Sequence, residues 1–252
     1  MITLNCRTFD DCLASLASAT DVAPAVLLHA MRDHEPDSVP ADQDPWEAFP
    51  RDVLATVGID IAKVAFDDCV YFHGTRTLDS DSFLREGILP LGLVIDRLWE
   101  ALLGLCPDVS DAEWAALRAR TQTTDPSHSA ELYRLKTQNP ALHGPYASLV
   151  REHVLYPIVG QHDYLASPEI IEDIARCSGF DLQHRFDTAA TMCIVAFRST
   201  QLSPSAVDSA VNYAYAKARG EKIGMSSVDG YDCRAEPVAA HDVISVELIT
   251  ER

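Results

Sequence analysis

Cys69-Val70-Tyr71-Phe72-His73-Gly74-Thr75-Arg76 is the stretch on which the reading of this chain turns. Its first five residues are rich in β-branched and aromatic side chains, which favour a strand, and Gly74-Thr75 predicts where that strand stops. A period of two puts Cys69, Tyr71 and His73 on one face. The glycine after the histidine lets a ligand approach the backbone, whose N–H and C=O can pair with a planar amide. The imidazole of His73 can bond a sugar hydroxyl, and Arg76 can reach a pyrophosphate. The same residues also fit a core histidine beside a tight turn, and the spacing leaves both readings open.

Working downstream, Asp79, Ser80 or Asp81 can cap a short helix through Phe83 and Leu84. Gly87 stands where a left-handed residue closes it. Leu91, Val94, Ile95, Leu98, Leu102 and Leu105 follow the helical repeat. Ser110 with Glu113 makes a capping box ahead of Trp114 and Leu117. With Leu132 and Leu135 on another short helix, residues 91–140 read as an all-helical insertion between two strands. Gly144-Pro145 opens a second strand, Tyr146–Val150. Ser167-Pro168-Glu169 opens a helix with Ile170, Ile171 and Ile174 inward, ending near Gly179. Met192–Phe197 is apolar at both parities, the pattern of a strand buried on both faces. Ser203-Pro204 starts a helix through Val207, Val211 and Ala214 to Gly220, and Val243–Ile249 is the last strand. There is no internal repeat, and the irregular mixture predicts an α+β fold.

Working upstream, residues 1–65 read as a helical N-terminal region and 66–252 as the main domain. Phe9, Leu13 and Leu16 share a helix face. Asp21 is the expected cap of a second helix that begins at Pro24 and carries Val26, Leu27 and Met31. Asp33, Glu35, Asp37, Asp42 and Asp44 make an acidic, Pro-containing linker. Asp44-Pro45 and Pro50-Arg51 are each starts for a short helix, the second closed by Gly58. Two helices joined by Ala19-Thr20-Asp21 also fit a helix-turn-helix, which the acidity of the chain disfavours.

The 252 residues carry a formal net charge of −18 and 47% hydrophobic residues, enough for a packed core in one large domain or a core with a small addition. Such a charge repels phosphate backbones and leaves room only for a local nucleotide pocket. Met1–Arg7 lacks the basic-then-apolar pattern of a signal peptide, and no apolar run is long enough to span a bilayer. The seven cysteines are odd in number and form no CxxC, so they read as reduced thiols of a cytoplasmic protein. None stands beside a Gly-rich elbow, which disfavours a thiol enzyme. Gln161-His162-Asp163-Tyr164, with His143 and His153, matches no standard zinc spacing, so no metal is expected. The cluster fits helix capping, or closure of a pocket.

Phe72-His73-Gly74-Thr75 resembles the first motif of ADP-ribosyltransferases of the diphtheria-toxin-like, H-Y-E class. Phe83-Leu84-Arg85-Glu86-Gly87-Ile88 resembles the helix that follows it. Poly-ADP-ribose polymerases, RNA 2′-phosphotransferases and bacterial DNA-targeting ADP-ribosyltransferase toxins share this opening. Gly144-Pro145-Tyr146-Ala147 is similar to the second motif, whose tyrosine packs on nicotinamide; Tyr164 competes for that role, and an ordinary strand aromatic fits as well. Cys233-Arg234-Ala235-Glu236-Pro237-Val238, followed by Asp242-Val243-Ile244-Ser245-Val246, resembles the third. Pro237 departs from the family pattern, since proline cannot donate within a sheet.

The resemblance, from Cys69 to the C-terminus around the helical insertion, implies an ADP-ribosyltransferase-like split β-sheet core. It implies NAD as substrate, held by His73, Gly74, Thr75, Arg76 and Tyr146. Glu236 would be the catalytic carboxylate, stabilising positive charge as the nicotinamide–ribose bond breaks. ADP-ribose would pass to an acceptor, protein or nucleic acid, in a toxin–antitoxin or phage-defence setting. The alternative is a weak or inactive module of the same fold that binds a nucleotide, or a protein partner on its helical regions. A third reading, RNA 2′-phosphate removal, needs more basic residues than Arg76 and Arg85 near the first motif.

Overall fold

The structure is a computed structural model that describes residues 1–34 and 49–251. Glu35 to Asp44 of the expected acidic linker, and the Asp44-Pro45 helix start, lie outside the described residues. In chain order the elements are β1 (Thr3–Asn5), α1 (Phe9–Thr20), α2 (Pro24–Asp33), α3 (Phe49–Ala55), β2 (Asp68–Thr77), α4 (Ser82–Glu86), α5 (Leu91–Gly104), α6 (Asp111–Thr123) and α7 (His128–Gln138). There follow β3 (Tyr146–Ser148), α8 (Arg151–Leu155), α9 (Glu169–Ser178), α10 (Leu182–Ala189), β4 (Thr191–Ser199), α11 (Ala206–Ala218), β5 (Gly230–Asp232) and β6 (Val243–Ile249). The fold is mixed α+β. The six strands form one sheet in the order β5-β3-β2-β4-β6, with β1 parallel beside β2. Among the described residues no single helix is long and apolar enough to cross a membrane.

The chain divides into two compact units that interleave along the sequence. The first comprises Met1–Phe72, Ala147–Gly160 and Arg198–Tyr231. Its helices form because apolar residues recur at helical spacing and caps hold their ends. The Thr8 hydroxyl accepts the Asp11 N–H at 3.1 Å, and Asp10 and Asp11 suit the positive end of α1. Leu13 and Leu16 of α1 and Leu27 and Met31 of α2 are buried, while Phe9 is only partly so and Val26 is exposed. Asp21 does not cap α2. It adopts φ 54°, ends α1, and leaves Ala23 before Pro24.

The N-terminal helices are not a unit of their own, contrary to the boundary expected near residue 65. Helices α1, α2 and α3 all pack on α11, whose Ala210, Val211 and Ala214 are fully buried. Their apolar faces need a partner, and a helix two hundred residues away supplies it. Nor is the region all helical: Leu4 of β1 pairs with Cys69 of β2.

The second unit comprises His73–Tyr146, Gln161–Phe197 and Asp232–Arg252. Residues 91–140 hold α5, α6 and α7 and no strand, as the helical repeat predicts. The capping box is complete: Glu113 N–H donates to the Ser110 hydroxyl, and Ser110 N–H to Glu113 Oε2 at 3.0 Å. The three helices share a core with α9 and α10. At its centre, Trp99 Nε1–H donates to the Tyr133 hydroxyl at 2.9 Å, and Trp114 Nε1–H donates to the Trp99 carbonyl at 3.1 Å. Both indoles thus bury their area without stranding a donor. Cys193–Phe197 of β4 are buried at both parities, as expected, and β6 pairs with β4 antiparallel.

Candidate functional site

β2 does not stop at Gly74-Thr75. It runs ten residues, Asp68–Thr77, and His73 lies at its middle. The weak strand preference of Gly74 favours a break there, but β2 lies between β3 and β4 in the sheet, and pairing outweighs that preference. After β2, Asp79 Oδ1 accepts the N–H groups of Asp81 and Ser82, while Asp81, at the N-cap position of α4, makes no capping bond of its own. Gly87 ends it at φ 81°. A Cβ there would sit 1.9 Å from the Val238 carbonyl oxygen, so only glycine fits. Ile88 and Val238 exchange both backbone hydrogen bonds, at 3.0 and 2.9 Å.

Between these elements lies a cavity of about 650 Å³, wholly within the second unit. His73, Gly74, Thr75, Arg76 and Tyr146 all line it. Tyr146 begins β3, which ends at Ser148 rather than Val150. His73 Nδ1 lies 2.7 Å from the Tyr146 carbonyl oxygen. A carbonyl only accepts, so Nδ1 carries the proton. Burial lowers the His73 pKa below the ordinary imidazole value, against the opposing pull of that carbonyl. The ring is therefore neutral near pH 7, with Nε2 left as an acceptor. The ring of Phe83 meets it edge-on at 6.3 Å. This arrangement can accept a hydroxyl proton from a ligand.

Arg76 is less open. Nη1 donates to the Ala166 carbonyl at 3.1 Å and lies 3.7 Å from Asp187 Oδ1. Its Nε is buried and unpartnered, the kind of orphan donor a bound anion would satisfy. The Thr75 hydroxyl is turned to the Arg76 carbonyl.

Glu236 does not line the cavity. It is exposed, directly after Arg234 and Ala235, which take φ 53° and 69°. The backbone on both sides is nevertheless tied to cavity residues. Ala235 N–H donates to the Gly144 carbonyl at 3.0 Å, and Val238 pairs with Ile88.

Three carboxylates line the cavity instead, Asp79, Glu86 and Glu169, the last being the first residue of α9. Lys136 Nζ lies 3.0 Å from Glu169 Oε2 and 2.7 Å from Asp173 Oδ2, so one ammonium holds two carboxylates. Asp173 is buried, and desolvation raises its pKa in spite of Lys136. Tyr164 also lines the cavity; burial and then the Glu169 charge push its hydroxyl up to about 12. Burial raises the Tyr146 hydroxyl too, aided by Asp232, Cys233 and Glu169. His73, Tyr146, Tyr164 and Glu169 therefore form one cluster. Glu169 and Tyr164 are legible as polar residues beside a helix start. Lys136 carries no signal, because nothing local links position 136 to 169 or 173.

The remaining polar cluster serves local structure. His162 Nε2 lies 2.7 Å from the Ser167 carbonyl, and Asp163 Oδ1 accepts the Ala166 N–H. His153, in the first unit, bonds Ser227 at 2.8 Å. Among the described residues no three His, Cys, Asp or Glu side chains are grouped to hold a metal ion. All seven cysteines are buried and free, and desolvation raises Cys69, Cys193 and Cys233. Compared with protein-family models, with curated proteins and with solved structures, the chain has no match.

Proposed function

We propose that the protein is an ADP-ribosyltransferase-like enzyme that binds NAD in the cavity around His73, cleaves the nicotinamide–ribose bond and passes ADP-ribose to an acceptor. The observation that carries this reading is the His73–Tyr146 hydrogen bond in the cavity wall. It joins the first and second family-like motifs and leaves Nε2 free to accept a ribose hydroxyl. The cavity volume suits a cofactor-sized ligand. Arg76 Nε is an unpartnered donor for the pyrophosphate. A carboxylate must face the sugar as its positive charge grows. Glu236 is the carboxylate that the third motif designates, and Glu169 is a cavity-wall carboxylate whose charge acts on both Tyr146 and Tyr164.

Incubation of the protein with NAD, reading nicotinamide release and mass shifts on offered acceptors, tests the proposal. If the third motif supplies the catalytic carboxylate, Glu236→Gln lowers turnover about 100-fold with NAD affinity little changed, because only transition-state stabilisation is lost. If Glu169→Gln shows that loss and Glu236→Gln does not, the catalytic carboxylate is Glu169. A wild type that releases no nicotinamide with any acceptor sinks the enzyme. The exposed position of Glu236 favours that second reading, a module that binds a nucleotide without turnover.

A further inference from the structure

Helix α5 is apolar on two faces. Trp99 and Leu102, with Cys106 just beyond the helix end, are buried in the core of the second unit. Leu91, Val94, Leu98 and Ala101, spaced by three, four and three residues, form another stripe that lines the cavity. Leu135 of α7, 53% exposed, lines it too, as do Leu142, and Ile170 of α9. Apolar stripes normally pack against another element. Leu98 and Ile170 also pack against the core, but Leu91, Val94 and the exposed Ala101 border the helical side of the same cavity of about 650 Å³ that His73 lines.

The charged groups of the wall are largely matched among themselves. Arg97 pairs with Glu86 at 2.7 Å, and Lys136 with Glu169 and Asp173. The wall from the helical insertion thus offers area for an apolar body and few free charges for a phosphate or a peptide side chain. A polyanionic nucleic acid is opposed further by the net charge of −18.

We infer that the helical insertion builds a second subsite, for the apolar body of a small molecule bearing a hydroxyl or amino group. Resting on the transferase reading, this molecule is the ADP-ribose acceptor. In that step the C1′–N bond to nicotinamide breaks and nicotinamide keeps the electron pair. The acceptor oxygen or nitrogen forms the new bond to C1′, and its proton passes to the Glu169 carboxylate and on to water. Products and reactants then balance, with one proton released.

Equilibrium dialysis of the full chain against 2-naphthylethanol and 2-naphthylethylamine, without NAD, tests the subsite directly. We expect saturable binding. Ala101→Trp fills the space from an exposed position, and Leu135→Glu places a charge in it; each should weaken binding about tenfold. Melting curves establish that each variant is folded. No saturable binding by the wild type, or equal binding by both filled variants, overturns the subsite. A second arm adds NAD and weighs the small molecule. An ADP-ribosylated naphthyl product supports the acceptor assignment. Saturable binding with no nicotinamide release supports the subsite and counts against the transferase reading alone. Modification of an offered protein or RNA at the same rate by wild type and Ala101→Trp overturns the acceptor assignment.

Discussion

The two halves of β2 make a direct comparison, because one strand supplies both. From Asp68 to Phe72 every side chain is buried, and from His73 to Thr77 every one is half-exposed. Tyr71 and His73 have the same parity, yet Tyr71 is fully buried against the ring of Tyr231 at 4.8 Å, while His73 lines the cavity. The first half is scaffold: it gains stability by removing apolar area from water. The second half gives up that gain and presents its polar groups to the cavity. The change falls at the Phe72–His73 bond, inside the family-like motif.

The strongest way to break this comparison is Phe72→Ala. Phe72 is 1% exposed, and truncation should cost about 3–5 kcal/mol through lost transfer energy and the hole left behind. A clear fall in melting temperature or denaturant midpoint is expected. An effect below about 1 kcal/mol would mean that the first half is not the scaffold described.

His73→Ala should do the reverse. We expect NAD affinity by calorimetry to fall by about 1–2 kcal/mol, with the fold retained. Unchanged affinity refutes the ligand role. A fall in melting temperature comparable to that of Phe72→Ala erases the distinction between the halves.

The smallest expected effect sharpens the comparison through pH. Burial lowers the His73 pKa, so the unfolded chain takes up this proton first as pH falls. The contribution of His73 to stability is therefore complete above about pH 6.5 and is lost as pH drops from there through the lowered folded value. NAD affinity should follow the same course, since a protonated Nε2 cannot accept. Titration calorimetry from pH 8 downward should show affinity flat to about pH 6.5 and falling only below it. An affinity that rises on acidification contradicts a neutral acceptor.

Much of the fold is legible residue by residue. β6 spans Val243–Ile249 in the pattern and in the structure, and α9 ends at Gly179 with Ile171 and Ile174 buried. The short elements are not. β1 and β5, of three residues each, carry too few positions for a period to emerge, and α10 follows a phenylalanine turn with no side-chain cap. In α5 the single repeat of the sequence pattern serves both the core, at Trp99 and Leu102, and the cavity, at Leu91, Val94 and Ala101, with Leu98 touching both. The candidate binding residues were legible because His73 directly precedes a glycine in a strand and Tyr146 follows a Gly-Pro pair at a strand start. Lys136 was not, because its partners lie more than thirty residues away.

Local chemistry was therefore determined by the sequence itself: the run apolar at both parities that makes β4, the Ser110–Glu113 box that starts α6, and the glycine that closes α4 at Gly87. These depend on neighbours within a turn or two of chain. Tertiary structure alone decided that β2 continues past Gly74, and that His73 bonds the carbonyl of Tyr146. It also brought Glu169 into the cavity wall and left Glu236 at a turn outside it. Those outcomes depend on which distant segments pack together, and a carboxylate carries no periodicity that says which distant residues it will meet.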